Sequence, residues 1–180
     1  MKNKHITIEC TIPSLGIINT QIYKPHACKC YNFLYKFGYI QKLNNVNQLG
    51  VIKNTLNGTH HPRWEYVVLQ IYLLNQLKKS QYPSGLASDY TMNLENGKET
   101  LSSCELIQIW ILLFNSGHLP GTFASERGIL LALKENKNFL STMKKGMPDN
   151  LKHPFEKSVE NNEIYNIHKY IIAFLLKRHT

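Results

Sequence analysis

A chain of 180 residues (20.8 kDa) with 43% hydrophobic and 18% charged residues can bury a sizeable core and is too apolar for a disordered or fibrous protein. Its longest apolar run, Ile109–Phe114, stops far short of the roughly 20 residues a membrane-spanning helix needs. Lys and Arg number 21 against 12 acids, a formal charge of +9 that permits an anionic partner but is spread thinly along the chain.

The first 25 residues alternate with period two, Ile6, Ile8, Cys10 and Ile12 against Thr7, Glu9 and Thr11. Pro13-Ser14-Leu15-Gly16 is turn chemistry, and Ile17 to Tyr23 reads as a return strand closed by Pro25. Such a hairpin is marginal alone and must lie on something helical. From Ala27 the period lengthens, with Cys30, Phe33, Leu34 and Phe37 on one helical face and Gly38 at its end. A short helix from about Ile40 to Leu49 stops at Gly50, and Val51 to Leu56 is too short to assign. Pro62 opens the best-defined helix, Pro62 to Lys79.

Residues 80–99, with Tyr82-Pro83-Ser84-Gly85 and Gly97, form a polar break that reads as a loop or insertion. Ser102 or Ser103 with Glu105 marks the start of a helix running to Phe114, apolar nearly all round and therefore expected to be central and buried. After a loop at Gly117, Pro120 and Gly121, helices are expected at about Ala124 to Glu135, Asn150 to Val159 and Ile164 to Lys177. The last carries Lys177, Arg178 and His179 at its end, where the helix dipole favours positive charge. The pattern is one mainly α domain over 1–180: hairpin 1–25, first helices 26–79, loop or insertion 80–99, and a buried helix with C-terminal helices over 100–180.

Two segments carry the chemistry: Gln48-Leu49-Gly50 through Gly58-Thr59-His60-His61-Pro62-Arg63-Trp64-Glu65-Tyr66, and Leu112-Leu113-Phe114-Asn115-Ser116-Gly117-His118-Leu119-Pro120. Together they resemble the HD superfamily of metal-dependent phosphohydrolases, particularly the deoxynucleoside triphosphate triphosphohydrolase branch. The resemblance covers about residues 5–135 and implies an HD-like helical domain behind a short hairpin. It also implies where an ion would be held, and those positions carry Tyr66, Phe114 and Asn115 instead of the family's His, His and Asp. A divalent metal needs lone pairs from imidazole, carboxylate or thiolate; phenylalanine has none, and neutral tyrosine and asparagine are poor substitutes. No metal or other cofactor is therefore expected.

The resemblance further places Arg63 where the family has an arginine beside the metal, His61 two residues before it, and His118 where the family histidine faces substrate phosphate. The later family histidine corresponds to Phe123, so that contact is lost. His61, Arg63, Tyr66, Asn115 and His118 thus form a candidate phosphate-binding pocket, since a fixed guanidinium recognises phosphate in bidentate fashion. The plainer alternative is that Arg63 pairs with Glu65 or Glu126 and tethers a helix start.

Other patterns are weaker. His26, Cys28 and Cys30 with Cys10 look like zinc ligands, but i and i+2 side chains on a helix point apart. Ser116 beside His118 lacks an elbow motif, and the rings from Tyr31 to Tyr39 alternate in a way that scatters them around a helix. Cysteines without framework spacing, and an N-terminus without an apolar signal core, read as a reduced cytoplasmic protein, and no membrane partner is expected. The expectation is a catalytically degenerate HD-type module that acts by binding, as a regulator, scaffold or sensor of a nucleotide or nucleic-acid phosphate. The alternative is a nucleotide phosphohydrolase with a displaced or metal-free site, the one reading that admits a divalent metal. Self-association or a larger protein partner is also expected, to cover the apolar last helix.

Overall fold

The computed structural model describes residues 5–13, 15–23, 25–47, 61–80, 89–94 and 97–179. The protein is mainly helical, with a short N-terminal antiparallel hairpin. It divides into two compact units, Met1–Asn44 with Arg63–Leu113 and Asn45–Pro62 with Phe114–Thr180. Among the described residues no helix is long and apolar enough to cross a membrane.

In the first unit β1 (Ile6–Ile12) pairs with β2 (Gly16–Ile22), Ile8 opposite Thr20 and Cys10 opposite Ile18. The period-two pattern does the sorting: Ile8, Ile12, Ile18 and Ile22 are buried, while Thr7, Glu9 and Thr11 face out. Helix α1 (His26–Lys36) buries Ala27, Cys28 and Leu34, and α2 (Tyr39–Asn45) buries Ile40 and Leu43. The long α3 (Arg63–Lys79) lies on both strands of the hairpin and buries Val67, Val68, Ile71 and Leu74. This is the helical support a two-stranded hairpin requires.

The polar stretch after α3 contains structure the pattern does not announce. Residues Asp89–Leu94 (β3) and Gly97–Ser102 (β4) form a second antiparallel hairpin, Tyr90 opposite Leu101. Thr91, Lys98 and Thr100 are exposed, and the short alternation of Tyr90, Met92 and Leu94 with Thr91 and Asn93 is hidden by the polar composition around it. The expectations for Gln48-Leu49-Gly50, Val51–Leu56, Gly58–His60 and the Tyr82–Gly85 turn lie outside the described residues.

Helix α4 (Ser103–Ser116) begins at its expected signal, with the Glu105 N–H donating to Ser102 Oγ at 3.2 Å. Its burial differs from the expectation: Trp110 is 57% exposed and Leu106 is exposed too, whereas Glu105 and Gln108 are buried. The reason is hydrogen bonding. Gln108 Oε1 accepts from the Tyr23 N–H at 2.8 Å, and its Nε2 donates to the Gln21 carbonyl and Asn75 Oδ1. Asn75 in turn donates to Thr20 Oγ1 and the Gln21 carbonyl. Glu105 Oε1 accepts from the backbone N–H groups of His26 and Ala27, capping α1, whose N-terminus has no side-chain cap of its own.

The second unit packs α5 (Phe123–Glu135), α6 (Lys137–Lys145), α7 (Asp149–Glu160) and α8 (Ile164–His179). Its core is Leu130, Leu133, Met147, Phe155, Val159, Ile167 and Ile171. Much of the apolar face of α8 is covered within this unit, by α5 and α7. Helix α6 goes beyond the expected elements; Asn136 caps it, its side chain accepting from the Phe139 N–H. Helix α7 runs through Pro154, held by the burial of Phe155 and Val159 beside it.

Candidate functional site

The five pocket candidates divide between the units: Arg63 and Tyr66 in the first, His61, Asn115 and His118 in the second. His61 is exposed, just before Pro62, which bridges to Asn47. Arg63 begins α3 and is buried; Tyr66, one turn on, is 39% exposed. Asn115 is buried in the last turn of α4, and the His118 N–H donates to its carbonyl at 3.3 Å.

The positions where the HD resemblance would place an ion do not suit one. Phe114 stands edge-on to His168, with ring centroids 4.4 Å apart, and to His118 at 5.8 Å. It is a packing surface for two imidazoles and offers no lone pair. Asn115 supplies a neutral amide and Tyr66 a phenol.

What the fold does assemble is a different cluster. After α4 the chain turns through Gly117, whose lack of a side chain lets α8 approach: a Cβ there would lie 2.0 Å from the His168 carbonyl oxygen. The loop closes through Gly121 (φ 83°) and Thr122, a β-branched residue held at φ 48°. One turn into α5, Glu126 is fully buried and shares a 2.6 Å hydrogen bond with His118 Nδ1. His168, on the buried stripe of α8, stacks on His118 with centroids 4.0 Å apart and places Nδ1 3.6 Å from Glu126 Oε2. All three side chains are buried.

The electrostatics of the cluster follow from this geometry. Burial alone would raise the Glu126 carboxyl, but the His118 hydrogen bond and the nearness of both imidazoles, His168 at 3.6 Å, outweigh it and hold the pKa at about 2. Glu126 is therefore a carboxylate at neutral pH, engaged with His118 and His168.

Glu126 is visible in the sequence only as a common family acid, and His168 is missed altogether. The signal for His168 is its place between Ile167 and Ile171, within the apolar stripe of an amphipathic helix. The Cys-rich pattern near the N-terminus goes elsewhere: His26 Nε2 pairs with Glu99 at 2.9 Å, and the Cys28 thiol donates to the Ile22 carbonyl. Away from these groups, a polar cleft of about 270 Å³ opens in the first unit between Thr20, Gln21, Tyr23, Tyr72, Asn75 and Lys79. Comparison with protein-family models, with curated proteins and with solved structures returns no match.

Proposed function

We propose that this chain is an HD-like helical module that works by binding rather than by hydrolysis, as a regulatory or scaffolding element responsive to a nucleotide or nucleic-acid phosphate. The observation that carries the reading is Phe114, which fills a family ligand position with an aromatic ring packed against His118 and His168. An ion gripped there would lack the donors it needs. Leu106 and Trp110, one turn apart on α4 and both exposed, give a protein partner an apolar surface to cover. The net charge of +9 favours an anionic ligand over a cationic one. The reading is tested by incubating the purified chain with a panel of nucleotides while following both retention of nucleotide and release of phosphate. Retention without release is expected; turnover with stoichiometric manganese or iron would overturn it.

A second reading, a nucleotide phosphohydrolase with a displaced site, is favoured by one feature. A histidine oriented through Nδ1 by a buried carboxylate, as His118 is by Glu126, is half of an acid–base pair. On that reading His118→Gln abolishes nucleotide hydrolysis; unchanged hydrolysis in the variant removes it.

A further inference from the structure

We propose that His118, Glu126 and His168 form a binding site for a divalent transition metal, best matched to zinc, that pins α8 to the loop between α4 and α5. The three residues are 8 and 42 positions apart in sequence and come from three different elements, yet one donor atom of each lies within 4.8 Å of the other two. Two imidazoles and a carboxylate are a zinc donor set. Among the described residues, neither ring nitrogen of His168 nor Oε2 of Glu126 has a hydrogen-bond partner, although all three atoms are sealed from solvent. Buried polar atoms are nearly always partnered, and leaving one unmet costs about 1–3 kcal/mol. A single cation accepting one lone pair from His168 Nδ1 and one from Glu126 Oε2 satisfies two of these three atoms at once.

The spacing suits that role. Two metal–ligand bonds of about 2.1 Å spanning the 3.6 Å between His168 Nδ1 and Glu126 Oε2 meet at roughly 120°, slightly wider than tetrahedral. His118 lies on the other oxygen of the same carboxylate. To join the ion through Nδ1, His118 moves the proton it shares with Glu126 off that atom, to its own Nε2 if the ring is neutral or to solvent if it is protonated, and no electron changes hands. The three ligands are none of the family ligand positions Tyr66, Phe114 and Asn115, so the site does not rest on the HD reading. With His118 at 4%, Glu126 at 0% and His168 at 2% exposure, the ion would hold structure rather than meet a substrate. This departs from the sequence reading, in which His118 is a phosphate contact and no metal is expected.

The test uses the whole chain, stripped with chelator and titrated with Zn²⁺, and in parallel with Co²⁺ as a spectroscopic probe. One equivalent is expected to bind, with the visible bands of tetrahedral cobalt and a raised melting temperature in zinc. His168→Gln should weaken binding at least tenfold, and His168→Cys, which restores a ligand at the same place, should recover it. X-ray absorption of the zinc-loaded natural chain, which needs no variant to fold, should show a nitrogen and oxygen shell containing imidazole. Absence of stoichiometric binding, sulfur ligation in the natural chain, or His168→Gln binding as tightly as the natural chain would each overturn the site.

Discussion

Substituting Gly117 by alanine tests whether α8 truly rests on the loop that presents His118. The added Cβ would stand 2.0 Å from the His168 carbonyl oxygen, 2.8 Å from its carbon and 3.2 Å from Ile172 Cβ. Ordinary C···O contacts begin at about 3.3 Å, so α8 would have to retreat by about 1.3 Å. The obstacle is helix backbone, which cannot swing aside as a side chain does. Overpacking of this kind costs about 1–3 kcal/mol, against which a Gly→Ala change returns about 0.4–1 kcal/mol by restricting the unfolded chain. A net loss of about 1 kcal/mol is expected, a fall in melting temperature of roughly 2–4 °C. Gly128→Ala is the matched control: its Cβ meets nothing within 4 Å, and it lies inside α5. There the same change should stabilise by about 0.5–1 kcal/mol. Thermal and urea unfolding of both variants, side by side, give the measurement. If Gly117→Ala is as stable as the natural chain or more so, the close approach of α8 is refuted, and with it the placement of His168.

Glu105→Ala removes the carboxylate that caps α1 and should cost about 1–2 kcal/mol in urea unfolding; a loss within 0.3 kcal/mol, roughly the error of additive surface effects, would mean the cap contributes nothing. Phe155→Ala empties the centre of the second unit's core and should cost about 3–5 kcal/mol by the same assay. Burial pushes the Cys30 thiol up to about 12, so the native chain keeps it neutral across the range where an unfolded cysteine ionises. Peptide-mapped alkylation at pH 9 should therefore be much slower at the half-buried Cys30 in the native than in the urea-unfolded protein, and equal rates would contradict the raised thiol pKa. Because the folded value is the higher one, the associated stability is complete below the unfolded thiol's pKa and declines as pH rises toward 12.

The parts of the fold that the sequence makes legible are those where an apolar period faces a single core. Ile8, Ile12, Ile18 and Ile22 announce the first hairpin, Val67 to Leu74 the long helix on which it lies, and Ile167 with Ile171 the buried stripe of α8. The elements that escape carry shorter signals. In β3 only Tyr90, Met92 and Leu94 alternate with polar residues before the mostly polar β4, and α6 is a nine-residue helix whose Phe139, Leu140 and Met143 pack on the second unit's core. In α4 the composition misleads, because composition alone cannot show that Glu105 and Gln108 turn inward to satisfy backbone groups of a distant segment while Trp110 stays outside. The same limit applies to the candidate site. Asn115 and His118 are close in sequence and stay close in the fold, whereas His168 reaches His118 only through tertiary packing against Gly117, which no local spacing encodes.

The proposed role is tested most directly by measuring nucleotide retention and phosphate release together, on one preparation of the whole chain whose metal content has been determined. The account predicts a retained nucleotide and no phosphate above the buffer blank, with or without added manganese. Sustained phosphate release that depends on nucleotide concentration would contradict it.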